Sequence, residues 1–246
     1  MLFQEMPPVQ TKQGDLLATL DGTMVVSCQA EPGLPLDAPG HIAAMARSVV
    51  LGGASGVRIE GAANLTAVRA AVDVPIIGLI KTKRGDTEVY ITPTLDDVTS
   101  VIAAGADIVA IDATGRPRLA ELKAMFSAVA ARARLSMGDV ATLDEGRRAL
   151  DAGADLISTT MAGYTDYSSD QHGPAFGLME EFARAGLPFV AEGRIWTPQE
   201  AVRCFELGAR FIVVGGAITR PDAITRRFAD EVASWSARPQ LRRNPR

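Results

Sequence analysis

The sequence predicts an α/β chain closed into a single-domain (β/α)8 TIM barrel, and three observations carry that prediction. Eight short apolar runs recur along 246 residues, most followed by a segment with helical spacing or helix-start chemistry. The runs are apolar nearly throughout instead of alternating, which marks parallel strands covered on both faces. The junctions also echo one another. Ala104-Gly105-Ala106-Asp107, Ala152-Gly153-Ala154-Asp155 and Leu207-Gly208-Ala209-Arg210 each close a helix and open a strand, with Gly at the left-handed position past the helix end. An open doubly wound sheet is the alternative. It needs a Gly-rich turn after the first strand, where this chain has Ser27-Cys28-Gln29-Ala30-Glu31.

In order, a loose N-terminal arm (about 1–13) leads to a short helix over 15–20 and a first strand over 23–30. Pro32, Gly33, Pro35, Pro39 and Gly40 mark a long loop, and a helix spans 42–51. The second strand covers 56–59, and Asn64 is read as the cap of a helix over 65–71. The third strand, 74–80, runs straight into Lys81; Thr94 caps the helix that follows a polar loop. The fourth strand is 107–112 and its helix 119–132; the fifth is 134–140, followed by a capping box from Thr142 to Glu145. The sixth strand, 155–160, precedes a long polar loop and a helix over 176–185. The seventh is 188–191, with Thr197-Pro198-Gln199-Glu200 as a helix start. The eighth, Phe211 to Val214, ends in Gly215-Gly216, and Pro221 opens the last helix to about 234. A basic C-terminal tail (about 237–246) reads as frayed and solvated.

Composition narrows the function. A net charge of −4 argues against nucleic acid as the partner. Two cysteines, Cys28 and Cys204, form neither a disulfide framework nor a metal-ligand spacing, which suits a cytoplasmic setting. No apolar run reaches the ~20 residues of a membrane span, so no membrane partner is expected.

In a barrel of this kind the C-terminal strand ends form the working face. The polar residues there are Gln29, Arg58, Lys81, Asp112, Asp139, Thr159-Thr160, Glu192 and Arg194, with Gly193 and the Gly215-Gly216 pair beside them. Such a mixture suits a small, charged, hydroxylated ligand. Lys81 follows an apolar wall, where desolvation lowers an amine's pKa towards that of a general base; the alternative is a lysine that snorkels to solvent. Glu192 reads as an acid or base, or as an ion-pair partner. Asp112 and Asp139 read as hydroxyl ligands. A metal is not expected, because neither His41 nor His172 follows a strand. Cys28 reads as a packed core thiol, and Tyr164 and Tyr167 as a lid or as ordinary loop. The strand, Gly215-Gly216 and a helix start form a phosphate-binding turn, with Arg220 as a clamp.

Taken together, VSCQA from Val26, VRIEG around Arg58, PIIGLIK into Lys81, EVYITPT from Glu88, IDATGRP at Asp112, STT-x-x-GYT from Ser158, AEGRIWTP at Glu192 and VVGGAITRP resemble the N-acetylmannosamine-6-phosphate 2-epimerases of bacterial sialic acid catabolism. The resemblance runs from about Val25 to Phe228. It implies a cofactor-independent isomerase acting on a sugar phosphate, and a homodimer packed through C-terminal helices. It also implies catalytic roles for Lys81 and Glu192 and substrate contacts from Gln29, Arg58, Asp112 and Arg220. The backbone of Gly193, Gly215 and Gly216 would hold the phosphate. Three stretches depart from the usual pattern: TKRGDTE after Lys81, the short loop after Asp112, and MGDVA at Asp139.

The expected reaction is deprotonation and reprotonation at C2, next to the C1 aldehyde of the open-chain sugar. Two alternatives remain: a Schiff-base aldolase or lyase with Lys81 as nucleophile, and a phosphosugar-binding barrel without catalysis.

Overall fold

The computed structural model describes residues 12–236. The expected N-terminal arm touches this range only at 12 and 13, which open a helix, and the expected tail lies outside it. Eight parallel strands pair in chain order and close, β8 on β1. They are β1 (Met24–Cys28), β2 (Gly56–Glu60), β3 (Ile76–Leu79), β4 (Ile108–Asp112), β5 (Leu135–Asp139), β6 (Leu156–Ser158), β7 (Phe189–Glu192) and β8 (Ile212–Val214). Helix α1 (Lys12–Leu20) precedes them. The strands alternate with α2 (Pro39–Leu51), α3 (Ala62–Arg69), α4 (Leu95–Ala103), α5 (Leu122–Ala130), α6 (Leu143–Asp151), α7 (Phe176–Arg184) and α8 (Pro198–Glu206). A single turn α9 (Gly216–Thr219) and then α10 (Pro221–Ser236) follow β8.

The apolar runs are apolar on both faces because both faces are buried. Val25, Ile77, Leu79, Ile108, Ala110, Leu135, Met137, Leu156, Val190 and Val213 fill the barrel. Their neighbours in the chain, such as Val26, Ile76, Val109, Ile157 and Ala191, pack beneath the helices. Side chains alternate between faces along each strand, so the inward set can be extended by twos to the strand ends. It then reaches Ser27, Arg58, Glu60, Lys81, Asp112, Asp139, Ser158 and Glu192.

The repeated Gly-Ala-Asp junctions have a use at the opposite rim. Gly105, Gly153 and Gly208 adopt φ of 103°, 103° and 96°, a conformation glycine reaches without steric cost. Asp107 then accepts from the Ile76 N–H at 3.0 Å, and Asp155 from the Ser136 N–H at 2.8 Å. In the third junction Arg210 pairs with Asp21 at 2.6 Å instead. Capping boxes hold the starts of α4, α6 and α8, through Thr94 with Asp97, Thr142 with Glu145 and Thr197 with Glu200.

Two local expectations are corrected. Asn64 is not a cap: α3 starts at Ala62 behind Gly61, and the Asn64 amide lies inside the first turn, donating to the Glu60 carbonyl at 2.8 Å. After β8, the glycine pair leads into α9, and Pro221 opens α10 only afterwards. Among the described residues no helix is long and apolar enough to cross a membrane.

Candidate active site

The strand ends open on one cavity of about 510 Å3. Of the expected residues, Gln29, Arg58, Lys81, Glu192, Gly193, Arg194, Gly215, Gly216 and Arg220 line it. Asp112 and Asp139 do not. Both point inward but are fully engaged by protein. Asp112 accepts from the Thr114 hydroxyl at 2.6 Å, from Arg116 at 2.6 Å and from the Tyr90 N–H at 3.3 Å. The loop after β3 covers it. Lys81 bridges antiparallel to Ile91, and the Asp112 N–H donates to the Ile91 carbonyl at 3.0 Å. Thr92 turns this loop back with φ of 47°. A β-branched residue is strained there, and two bonds hold it: the Thr92 N–H donates to the Ile80 carbonyl at 2.7 Å, and its hydroxyl accepts from the Ile80 N–H at 3.3 Å.

Arg58 forms the floor. It is 1% exposed, and it joins two carboxylates from distant strands. Nη2 donates to Asp139 at 2.6 Å and Nη1 to Glu192 at 2.6 Å. A buried ion is costly unless it is paired and hydrogen-bonded. One guanidinium between two carboxylates neutralises one of them fully, and the second is left with a surplus negative charge. The excess falls on Glu192, whose side chain is 13% exposed against 0% for Asp139. Burial first, and Asp139 beside it, push the Glu192 carboxyl up to about 7, although Arg58, Thr160 and Lys81 pull the other way.

Lys81 lines the same cavity. Its side chain is open to the cavity, and the amine donates to the Gln29 amide oxygen at 2.6 Å. Burial of the amine, then the positive charge of Arg58, lower its pKa against the pull of Glu192, Glu60 and Asp139. The two groups are thus displaced towards each other, the carboxyl up and the amine down. Both shifts favour the uncharged forms, an amine that can accept a proton and an acid that can give one, which is what moving a proton across a small molecule requires.

The turn after β8 forms another part of the cavity wall. Gly215 caps α9, so the first amides of that turn have no acceptor within it. Trp196 packs 3.5 Å from where a Gly216 Cβ would stand. Arg220 is held by Asp222 at 2.7 Å and by Glu31 at 2.9 Å. Arg194, φ 56°, is also tied to the protein: its guanidinium donates to the carbonyls of Ala162 and Gly163 at 2.7 and 2.9 Å and lies 4.4 Å over the Tyr164 ring. It fixes the loop after β6 so that Tyr164 walls the cavity. Tyr167 turns away to hydrogen-bond Glu145. Cys28 is buried in the layer between barrel and helices, and its thiol is pushed up to about 12.

Sequence reasoning missed Glu60, Tyr90 and Trp196 as lining residues. Glu60 was within reach, since it sits two residues after Arg58 and therefore faces the same way. Tyr90 and Trp196 enter from loops, where no periodicity points.

A family model described as "Putative N-acetylmannosamine-6-phosphate epimerase" matches residues 42–234. "Putative N-acetylmannosamine-6-phosphate 2-epimerase" of Caldanaerobacter subterraneus subsp. tengcongensis is 45% identical over 226 residues, covering 88% of this chain and 93% of its own. "Bifunctional enzyme NanE/NanK" of Brucella melitensis is 44% identical over 92% of this chain, which spans 44% of that longer protein. Among solved structures, the N-acetylmannosamine-6-phosphate 2-epimerase from Clostridium perfringens superposes with a TM-score of 0.86 at 39% identity, over 88% of this chain and 96% of that one.

Proposed function

The chain belongs to the N-acetylmannosamine-6-phosphate epimerase family, and from that premise we propose that it interconverts N-acetylmannosamine 6-phosphate and N-acetylglucosamine 6-phosphate, with Lys81 and Glu192 as its proton-transfer pair. The observation that carries this reading is the shared cavity, in which a lysine with a lowered pKa and a glutamate with a raised one face the same space. The C2 proton of the open-chain sugar is acidified by the neighbouring C1 aldehyde. Lys81, neutral, takes that proton from one face; the electron pair passes into the C1–C2 bond and onto the aldehyde oxygen. Glu192, protonated, returns a proton to the opposite face. Reversal of the two roles gives the reverse reaction. Arg58 beneath the site favours the negative charge that develops. No step calls for a cofactor, since both side chains exchange protons with water. The phosphate is assigned to Gly193, Gly215, Gly216 and Arg220, at the far side of the cavity from the β3 loop.

Deuterium incorporation at C2 in D2O tests this directly, because it reports proton abstraction whichever way the reaction runs. Absence of exchange with either epimer would remove the mechanism and favour a binding protein. A borohydride-trapped adduct on Lys81 would favour the lyase instead.

A homodimer is part of the same reading. From Thr225 to Trp235 every residue of α10 is exposed, and Phe228 is 72% exposed. The barrel carries an apolar groove of about 470 Å3 lined by Met24, Val26, Met45, Val49 and Ile218, between β1 and α2, on the side where the helix after β8 packs in such a barrel. Helix α10 of a second copy would cover it.

A further inference from the structure

Glu192 is gripped twice by the single helical turn that follows β6. The Thr159 hydroxyl accepts from the Glu192 N–H at 3.0 Å and donates to the Glu192 carbonyl at 2.8 Å, fixing the backbone. The Thr160 hydroxyl reaches the carboxyl itself, donating to Oε2 at 2.8 Å. Arg58 Nη1 donates to the same oxygen at 2.6 Å. A hydroxyl has one proton to give. With that of Thr160 on Glu192, the 2.5 Å contact between the Ser158 and Thr160 hydroxyls must be donated by Ser158. The Ser158 oxygen in turn accepts from the Thr160 N–H at 3.2 Å. The hydroxyls therefore form a chain with one direction, ending on Oε2. That oxygen has two donors already, and among the described residues no hydrogen bond reaches Oε1.

We propose that Thr160 is a positioning residue: together with Arg58 it occupies Oε2 of Glu192 and so keeps the transferable proton on Oε1, the oxygen left to the substrate. The proposal rests on Glu192 being one half of the proton-transfer pair. The charged groups facing this carboxyl are Arg58 from β2, Lys81 after β3 and Asp139 from β5. None of them selects between the two oxygens except Arg58, which sides with Thr160. Without the hydroxyl, a proton on Oε2 competes with one on Oε1, and the acid spends part of its time aimed at the protein.

The test is Thr160→Val, which keeps the shape and removes the donor, with Thr160→Ser as the restoring variant. Each epimer is incubated with enzyme in D2O, and C2 exchange and conversion are followed by NMR. Conversion is expected to fall by about ten- to a hundredfold, the worth of a hydrogen bond to a charged group. Exchange from the epimer whose C2 proton Lys81 removes is expected to stay near wild type. The pH above which conversion declines should also rise, since the Thr160 bond holds the Glu192 pKa down. Thr160→Ser should return both. Equal loss of exchange and conversion, or unchanged conversion, overturns the proposal. If Thr160→Val does not fold, Ser158→Ala removes the hydroxyl behind Thr160 and must show the same split to a smaller degree; equal loss there overturns it too. A wild-type enzyme that exchanges neither epimer would refute the proton-transfer reading itself, and that result appears before any variant is made.

Discussion

Glu192→Gln should make the protein slower and, as pH rises above the ordinary carboxylate range, more stable. The amide keeps the size of the side chain, and its oxygen can accept from Arg58 and Thr160 as Oε2 does. Burial and Asp139 raise the carboxyl from 4.5 to about 7. Below pH 4.5 it is protonated in both the folded and the unfolded chain, and the glutamate costs nothing relative to glutamine. Between 4.5 and 7 the unfolded chain releases its proton first, which favours unfolding. Above 7 the folded protein carries the buried anion as well, and the cost levels off. At 1.36 kcal/mol per pH unit the cost is about 3 kcal/mol. In a domain of this size that is ~6–12 °C in melting temperature. Thermal unfolding of both proteins at pH 5 and pH 8.5 measures the difference, which should be small at the first and near its full size at the second. Conversion should fall by about 10²–10⁴. An equal stability difference at both pH values, or a wild type more stable at pH 8.5, would refute the assignment of surplus charge to Glu192.

Lys81→Ala should abolish C2 exchange from the epimer it deprotonates, by about 10²–10⁴, with little change in melting temperature; NMR in D2O reads the first and circular dichroism the second. Gly163→Ala places a Cβ 2.5 Å from the Arg194 guanidinium at φ of 83°, so the loop carrying Tyr164 should be displaced and KM should rise severalfold with kcat less affected. Phe228→Asp should shift a homodimer to monomer in sedimentation at equal loading, and an unchanged mass would remove α10 as the interface.

Much of the fold was legible because it rests on local chemistry. The capping boxes at Thr142 and Thr197 and the glycines at 105, 153 and 208 act within a turn or two of themselves, and they stand where the sequence put them. Asn64 misled because an amide side chain serves equally well as a cap or within a first turn, and Gly61 had already turned the chain. The site was legible as a set of strand-end residues, since an inward apolar run fixes which way its terminal polar residue faces. What the sequence lacked was depth. Asp112 and Asp139 share the facing of Lys81, yet the β3 loop covers the first and Arg58 consumes the second. Those contacts join residues 22 and 81 positions apart, and no spacing rule reaches so far. The acceptors of Arg194, carbonyls on the preceding loop, lie beyond such rules too.

The alternation of facing along each strand gives the barrel something like a reading frame. Loss of one residue from β3 would turn Lys81 into the oily layer beneath the helices and bring Thr82 to its place at the cavity, with every hydrogen bond of the sheet still available. Loss of two would restore the phase one storey lower. Chemistry at such a position can therefore drift freely by substitution, while insertions and deletions are confined to the loops, where a changed length alters the walls and leaves the phase of the lysine and the glutamate intact.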